Sequence, residues 1–340
     1  MEAETAPRYK MALLVVSAVI LLWGVMGAVD VRNLTHTGYV TNGSNTIIRV
    51  TEGSPADVAG LTSGDVIRSI DGISVTDTRA IGRRPRPTAG EVRSFEVERD
   101  GQTVSLELRY AAPTTNERFT AYGGILIGIC FLVFGVWAYL TAPGRATALL
   151  AVLGLTFAPA LTLGPYLASA ALRAAVAAIS FAAILVGLAV LLHFLLVFPR
   201  AKQLLQRRSV TWAIYGPAAV LALVAVWATA LQPAAISESN AFFRLLFGLF
   251  EAGYFVISLT ALIHSYVVAS SQDRAAQGLY LMLVGTVAAL GPLLLLVVVA
   301  LLAPQVLLPG SQYFFLTLVF IPVTFALAAV RVGRAAVAVA

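Results

Sequence analysis

Few residues in this chain have the types and spacing that catalysis or metal binding needs. The three histidines, His36, His193 and His264, stand far apart, and none begins the His-Glu-x-x-His pattern of a zinc-protease helix. The apolar segments hold no pair of aspartates and no Gly-x-Ser-Gly element. Cys130 is the one cysteine, so it cannot complete a cysteine-based metal site or an internal disulfide. We therefore expect a protein that is not an enzyme and that needs no cofactor or metal.

Four ionisable residues in or beside long apolar runs are the candidates for function within a membrane. Glu251 follows Arg244 by seven residues, so the two side chains share one face of a helix. Because a charge in hydrocarbon costs at least about 2.5 kcal/mol, Glu251 marks either a proton or ligand site or a structural hydrogen bond. Both interpretations stay open. His193 and His264 stand near helix ends at similar depth, where a structural role is favoured.

The composition is that of a chain surrounded mostly by lipid. Hydrophobic residues make up 59% of the 340 residues and charged residues 12%, against about a quarter charged in soluble domains. The net charge of +6 fits basic residues that flank membrane helices, so it does not indicate nucleic-acid binding. We expect membrane lipids among the partners of the chain.

The apolar runs define the elements that must position these residues. A membrane-crossing helix needs about 20 apolar residues, and about eight runs approach that length. The predicted spans are 11–29, 119–141, 146–167, 174–198, 210–231, 245–269, 278–303 and 312–330. Pro159 and Pro165 interrupt the third run. Gly124, Gly128 and Gly135 predict close helix packing within the bundle, with dimerisation as the alternative.

Lysine and arginine mark alternate loops, which predicts the orientation of the chain. These residues are Arg8, Lys10, Arg145, Arg200, Lys202, Arg207, Arg208, Arg274, Arg331 and Arg334. We expect both termini in the cytoplasm. The predicted parts are a cytoplasmic N-terminus with the first membrane helix (1–30), a domain outside the cytoplasm (31–115), a seven-helix membrane domain (116–332) and a short cytoplasmic tail (333–340). The first run exceeds a signal-peptide core, which favours an uncleaved anchor.

The segment 31–115, called the inserted domain below, changes character abruptly. Short β-rich runs lie at Ile47–Val50 and Val66–Ile70, and the second ends at the turn signal Asp71-Gly72. Segments 95–99 and 104–108 alternate around Asp100-Gly101, which predicts a hairpin. A serine, a proline and a terminal glycine at 54–61 predict one short helix. The expected fold class is therefore a multi-span α-helical membrane bundle of about eight helices with one small inserted α+β domain.

Four strings in this segment together resemble the core signature of bacterial PDZ domains. They are Ser54-Pro55-Ala56, Ala59-Gly60-Leu61, Gly64-Asp65-Val66-Ile67 and Ile70-Asp71-Gly72. The resemblance implies a domain that adds an extended peptide, usually a C-terminus, as a strand at an open sheet edge. It also implies a glycine-containing loop whose amides hold the terminal carboxylate.

The resemblance assigns candidate residues for that peptide site. Gly38, Tyr39 and Val40 stand where the carboxylate loop is expected, with Ile48 on the strand that follows. An ordinary turn at Gly38 is the alternative. The basic stretch with Arg83, Arg84 and Arg86 would attract acidic peptide or lipid head groups, but a solvated loop is the favoured interpretation.

A second resemblance concerns the membrane part. The end of one predicted span, 193–200, reads His-Phe-Leu-Leu-Val-Phe-Pro-Arg, and the last span ends Ile-Pro-Val-Thr-Phe-Ala-Leu-Ala-Ala-Val-Arg at 321–331. With one span, a PDZ-like domain and seven further spans, the chain resembles the membrane sensor region of competence-pheromone-type bacterial histidine kinases. It departs from them in that we expect no phosphoacceptor or ATP-binding domain after the last span. The resemblance implies a multi-pass protein of the bacterial inner membrane with a periplasmic or extracellular PDZ-like domain.

Three non-enzymatic functions follow as hypotheses. The first is a sensor or receptor-like subunit for signal transduction, whose PDZ-like domain binds a peptide or protein C-terminus and whose output passes through a separate signalling subunit. The second is a structural or assembly subunit of a larger membrane complex. The third is an adaptor in membrane proteolysis. Transport is weaker, because the spans hold few polar residues and no evident inverted repeat.

Overall fold

The computed structural model describes residues 6–42, 44–231, 241–302, 308 and 310–339. Within these residues, seven helices are long and apolar enough to cross a membrane, and one further apolar helix has 17 residues. A small domain of strands and short helices lies between the first and second long helices. The predicted fold class, a multi-span helical bundle with an inserted α+β domain, is confirmed.

The helices follow the apolar runs of the sequence. The long helices are α1 (Ala6–Asp30), α4 (Thr115–Thr141), α5 (Arg145–Leu161), α6 (Ala170–Val197), α7 (Arg208–Leu231), α8 (Ala241–Val268), α10 (Leu279–Leu302) and α11 (Phe320–Val339). The short ones are α2 (Pro55–Val58), α3 (Thr78–Arg83) and α9 (Ser271–Ala276). A 3-10 segment, Ser311–Val319, leads into α11, and α11 continues as helix through most of the predicted tail.

Helix α5 is shorter than the predicted span 146–167. It ends at Leu161, two residues after Pro159, and Pro165 lies in the connection to α6. Proline lacks the N–H that a continuing helix needs, so the two prolines end the helix early. The carbonyl of Pro159 accepts a hydrogen bond from the Ser180 hydroxyl of α6 at 3.3 Å, so a neighbouring helix compensates for the break.

Glycines bring α4 and α5 into close contact. A Cβ atom on Gly154 would lie 2.5 Å from the carbonyl oxygen of Phe131, and one on Gly135 would lie closer than 3.0 Å to that of Leu150. A Cβ atom on Gly124 would lie 3.0 Å from the carbonyl oxygen of Leu161. The small residues therefore let two helix backbones touch, and the predicted packing within the bundle is confirmed.

The inserted domain contains two antiparallel sheets. Its strands are β1 (Tyr39–Thr41), β2 (Ile47–Val50), β3 (Val66–Ile70), β4 (Ile73–Ser74), β5 (Val92–Arg99) and β6 (Gln102–Arg109). One sheet pairs β1 with β2, and the other has the order β4-β3-β5-β6. A buried apolar core joins them, formed by Ile47, Ala56, Leu61, Ile67, Phe95, Val97, Leu108 and Tyr110.

Local signals in the sequence set the turns of this domain. Asp71 and Gly72 adopt φ of 50° and 73°, and Asp100 and Gly101 adopt 50° and 77°. Two consecutive positive φ angles are typical of type I′ hairpin turns, so both predicted turns are confirmed. The predicted short helix also forms: the Ser54 hydroxyl accepts a hydrogen bond from the Asp57 amide at its start.

An ion pair between buried Asp65 and partly exposed Arg99 connects the loop before β3 to β5. Asp65 has a side chain only 1% exposed, and Arg99 donates to its two carboxylate oxygens at 2.7 and 2.8 Å. The amide of Thr62 donates to the same carboxylate at 2.8 Å. The Arg99 hydrogen bonds outweigh desolvation and lower the pKa of Asp65 below its ordinary value of 3.8.

Candidate functional site

Strand β1 lies at the edge of the two-stranded sheet, and its hydrogen bonds to β2 come from alternate residues. The carbonyl of Gly38 accepts from the amide of Thr51 at 2.8 Å, and the amide of Asn42 donates to Thr46 at 2.9 Å. Val40 lies between them in the same alternation. The even-numbered residues of this segment therefore direct their backbone groups toward β2.

The odd-numbered residues of β1 face the other way. By the same alternation, the N–H and C=O groups of Tyr39 and Thr41 point away from β2. Within the described residues, no backbone hydrogen bond forms on that side of the strand. An open row of donors and acceptors is what an added peptide strand requires.

The structure separates the four candidate peptide residues by role. Gly38 has a φ of 82° and directly precedes the strand, so it forms the bend before the open edge. Tyr39 turns its ring into the core against Phe95, at 6.2 Å between ring centroids, and burial raises the pKa of its phenol to about 12. Val40 and Ile48 expose 40% and 54% of their surfaces. Tyr39 therefore contributes its backbone groups, and not its side chain, to the open edge. The exposed apolar side chains near that edge are those of Val40 and Ile48.

Ile48 lies at a β-bulge. The register of the pair steps from Val40 opposite Arg49 to Thr41 opposite Ile47, so Ile48 is the extra residue. Its neighbour Ile47 is 1% exposed and belongs to the core. Consecutive side chains of a strand point to opposite faces, so one isoleucine lies in the core and the other is exposed.

The basic stretch at the end of α3 is only partly the solvated segment that the sequence favoured, since Arg83 is exposed but Arg84 and Arg86 are not. The Arg84 side chain is 11% exposed and forms an ion pair with Asp71, whose other carboxylate oxygen accepts from the Ser94 amide at 2.9 Å. The Arg86 side chain is 18% exposed and bonds Asp30 at the end of α1 at 2.6 Å. The expectation was wrong for Arg84 and Arg86 because carboxylates distant in sequence lie beside both guanidinium groups.

These contacts belong to a domain–bundle junction formed by Asp30, Gly82, Arg86, Tyr166 and Arg173. The Arg86–Asp30 pair joins the inserted domain to α1. The amide of Tyr166, in the α5–α6 connection, donates to the same carboxylate at 3.1 Å, and the Tyr166 hydroxyl accepts from the Arg86 amide at 3.0 Å. One carboxylate thus holds three parts of the chain.

Arg173, in the first turn of α6, completes the junction. Its guanidinium donates to the carbonyl of Gly82 in α3 and to those of Leu167 and Ala168, at 2.5 and 2.9 Å for the last two. Its Cζ atom lies 5.0 Å from the centre of the Tyr166 ring, within range of a cation–π interaction. The sequence gives no indication of these contacts, because Gly82, Asp30 and Tyr166 carry no local signal that would pair them with Arg173 or Arg86.

The first and last segments of the inserted domain also contact each other. His36 pairs with Ala111 through two backbone hydrogen bonds, of 2.9 and 3.1 Å. Its ring Nδ1 lies 2.8 Å from the Glu117 carboxylate in the first turn of α4. Glu117 also forms a capping box with Thr114. The chain therefore enters and leaves the domain beside the start of one membrane helix.

Among the candidates in the membrane helices, His193 has the most contacts. It is 8% exposed, with Nε2 lying 3.0 Å from Nη2 of Arg145 and Nδ1 lying 2.8 Å from the hydroxyl of Tyr215. Because Arg145 can only donate, Nε2 accepts and Nδ1 donates to the tyrosine oxygen. His193 thus links α5, α6 and α7, which fits the structural role that the sequence favoured.

The other candidates do not join this group. His264 is exposed on α8. Glu251, also on α8, is partly exposed, and no described residue forms a hydrogen bond or ion pair with its side chain. The side chain of Arg244, its predicted partner, lies outside the described residues. In the described part of the chain, no group of three or more His, Cys, Asp or Glu side chains is arranged to hold a metal ion.

The comparisons with known proteins concern the inserted domain. Residues 46–99 match the family model of the PDZ domain. The chain therefore contains a PDZ domain beside its apolar helices, which agrees with the four strings in the sequence. The matched segment runs from the start of β2 to the end of β5. No curated protein matches the chain in sequence.

The match indicates a general binding function for the domain, although β1 itself (Tyr39–Thr41) precedes the matched residues. A PDZ domain binds a peptide or protein terminus by adding it as a strand to a sheet edge. Strand β1 pairs with the first matched strand, β2, and offers such an edge on its other side. The domain is thus a protein- or peptide-binding module attached to a multi-pass helical bundle.

Proposed function

We propose that the chain is a non-enzymatic membrane sensor or receptor-like subunit. Its PDZ domain takes up an extended peptide or protein C-terminus along the free edge of β1. The observation that carries the proposal is the row of outward N–H and C=O groups of Tyr39 and Thr41, which have no backbone partner among the described residues. The terminal carboxylate would lie at the Gly38 bend, where the strand begins, and the exposed Val40 and Ile48 would contact apolar peptide side chains.

The receptor-like part of the proposal is supported by the junction. Arg86 and Arg173 connect the PDZ domain to α1 and α6 by direct side-chain contacts rather than by the covalent linkers alone. A peptide that shifts the inserted domain would therefore act on membrane helices through rigid contacts. In this proposal the chain has no catalytic role of its own. The shift of the membrane helices would therefore be passed to a separate subunit.

The test is a C-terminal peptide array on the full-length chain in detergent, followed by affinity measurements on the best peptide. Thr41→Pro removes one outward N–H without removing a β1–β2 hydrogen bond, because proline is tolerated at an edge facing solvent. Ser105→Pro is the matched control. Ser105 is an exposed residue of the edge strand β6, and the register of β6 points its amide away from β5.

We expect Thr41→Pro to weaken binding by up to about tenfold, since one net hydrogen bond contributes about 0.5–1.5 kcal/mol. Ser105→Pro should leave binding unchanged. Equal affinities for the wild type and Thr41→Pro would overturn the β1 assignment. If no peptide binds and the chain co-purifies in a stable complex, an assembly subunit replaces the sensor.

A further inference from the structure

A cavity lies at the junction, where the end of α1, the α5–α6 connection and the start of α6 meet. It has a volume of about 420 Å³. Its lining includes the apolar residues Trp23, Leu163, Val176 and Ala177, called the apolar wall below. The lining also includes the junction residues Asp30, Arg86, Tyr166 and Arg173, called the charged wall below. A space lined by both apolar and charged side chains suits an amphiphile rather than a purely polar or purely apolar molecule.

The charged wall has a net positive charge. Asp30 neutralises Arg86, with 2.6 Å between Oδ2 and Nη1. Arg173 directs its described hydrogen bonds to carbonyl oxygens and to the Tyr166 hydroxyl, and no described carboxylate forms an ion pair with it. One positive charge therefore remains beside the cavity, which favours an anionic ligand.

Both arginines keep donors for such a ligand. The described hydrogen bonds of the Arg173 side chain use Nη1 and Nη2, and that of the Arg86 side chain uses Nη1 alone. A guanidinium carries five N–H donors, so the Nε–H groups of both residues have no partner among the described atoms. Guanidinium groups bind phosphate oxygens strongly because their donors match that geometry.

The position of the cavity agrees with a lipid. Helices α1 and α6 are both candidate membrane spans, and the cavity lies where α1 ends and α6 begins. Tyrosine and tryptophan concentrate at this depth, where lipid head groups meet the hydrocarbon. Ala177 is exposed on the apolar wall, so an acyl chain can pass from the cavity onto the outer surface of α6. A soluble anion would leave that wall uncovered.

We propose that this cavity is a binding site for one anionic phospholipid. Its phosphate oxygens lie at Arg173 and Arg86, and one acyl chain runs along Trp23, Val176 and Ala177. The site is independent of the peptide edge at β1, so it goes beyond the proposed function and does not rest on it. The same two arginines hold the inserted domain, so the lipid would form part of the domain–bundle junction.

The test is native mass spectrometry of the full-length chain, titrated with phosphatidylglycerol or with phosphatidylcholine of the same acyl chains. Two variants probe the two walls: Arg173→Gln removes the unneutralised charge, and Ala177→Trp fills the apolar side from an exposed position. Arg118→Gln is the matched control. Arg118 is an exposed arginine near the start of α4, and it does not line the cavity.

We expect one phosphatidylglycerol to bind at least about tenfold more tightly than phosphatidylcholine, a difference of about 1.4 kcal/mol. Arg173→Gln should remove that preference, Ala177→Trp should weaken both lipids, and Arg118→Gln should change neither. Absence of an anionic preference, or equal losses in Arg173→Gln and Arg118→Gln, would overturn the site.

A thermal-unfolding arm separates the lipid from a free anion. Inorganic phosphate alone should not raise the melting temperature of the full-length chain as phosphatidylglycerol does. Equal stabilisation by phosphate would show a site for a free anion and overturn the lipid proposal. Because Ala177 is exposed, we expect Ala177→Trp to fold, so the test remains valid if Arg173→Gln does not fold. Unchanged lipid binding in Ala177→Trp would also contradict the proposal.

Discussion

The inserted domain and the helical bundle use the same residue, glycine, for different physical reasons. In the inserted domain, Gly72 and Gly101 have φ angles of 73° and 77°, and a Cβ atom on either would meet nothing within 4 Å. In the bundle, Gly135 and Gly154 lie within helices, but a Cβ atom on either would collide with the backbone of the facing helix. Gly72 and Gly101 allow a positive φ that other residues rarely adopt. Gly135 and Gly154 allow α4 and α5 to approach each other closely.

This difference teaches how each region is held together. The inserted domain depends on turn geometry, a side-chain core and the Asp65–Arg99 ion pair. The loss of stability on substitution there should therefore depend on the chemical nature of the new side chain. The bundle depends on how closely α4 and α5 approach each other. The loss of stability on substitution there should therefore depend on the size of the new side chain. Substitutions that change one property and not the other separate the two cases.

The largest expected effect is at the α4–α5 contact. Gly135→Leu should destabilise the full-length chain by about 3 kcal/mol or more, because the new side chain overlaps the Leu150 backbone and the helices must separate. Gly216→Leu is the matched control in α7, where a Cβ atom meets nothing within 4 Å. Thermal unfolding and size-exclusion profiles in detergent measure both. Similar losses in the two variants would show that close approach is not what Gly135 provides.

The next effect concerns the Asp65–Arg99 pair in the inserted domain. Asp65→Asn should lower the free energy of opening of this domain by about 1–3 kcal/mol, because it replaces the buried carboxylate that accepts from both Arg99 and the Thr62 amide. Hydrogen exchange of peptides from β3, β5 and β6 in the full-length chain measures the loss. Glu98→Gln is the control, since the Arg68–Glu98 pair is exposed and should contribute little.

The same pair predicts a dependence on pH. The folded pKa of Asp65 lies below its ordinary value of 3.8, so the folded domain binds this proton less readily than the unfolded chain. Its stabilisation is therefore complete above the unfolded pKa and is lost as the pH falls through the folded pKa. Hydrogen exchange of the β3–β5 region should show this acid loss in the wild type and a smaller one in Asp65→Asn. Equal acid sensitivity would contradict the assignment.

A third, smaller effect tests the two roles of glycine directly. Gly72→Ala should cost about 1–2 kcal/mol, although its Cβ atom has room, because an alanine is strained at positive φ. Gly72→Asn should cost less, because asparagine tolerates that conformation. At Gly154 the order should reverse, with the larger asparagine costing more than alanine. Hydrogen exchange of the β3–β4 turn and thermal unfolding of the chain compare the four variants. The same order at both positions would refute the distinction.

The features that the sequence predicted well are those with local causes. The turns at Asp71-Gly72 and Asp100-Gly101, the Ser54 cap and most membrane helices depend on residues a few positions apart. The domain–bundle junction depends on contacts such as Arg173 with Gly82, 91 positions apart, and Tyr166 with Asp30, 136 positions apart. Neither partner has an unusual neighbourhood in sequence, so no periodicity or motif could pair them.

The candidate site shows the same limit. The PDZ strings identified the domain and the region of the edge strand, but not which way each residue faces. Tyr39 turned its ring into the core because β1 places it opposite Val50 and above Phe95. The side chains of Arg84 and Arg86 are largely buried because Asp71 and Asp30 lie beside them in the fold. Direction and partner are set by tertiary packing, which the sequence patterns do not contain.

The smallest expected effect lies where the two regions meet, at the start of α4. Thr114→Ala should cost about 1 kcal/mol, because the Thr114 hydroxyl accepts from the Glu117 amide at 3.2 Å in a capping box. The loss of stability should extend into the inserted domain, since the Glu117 carboxylate also contacts His36.

Ser169→Ala is the control. The Ser169 hydroxyl caps α6 through a longer hydrogen bond of 3.4 Å and is not part of a capping box. Hydrogen exchange should increase in the first turn of α4 and near His36 for Thr114→Ala, and only at the start of α6 for Ser169→Ala. A Thr114→Ala effect confined to α4 would mean that the histidine contact does not couple the two regions.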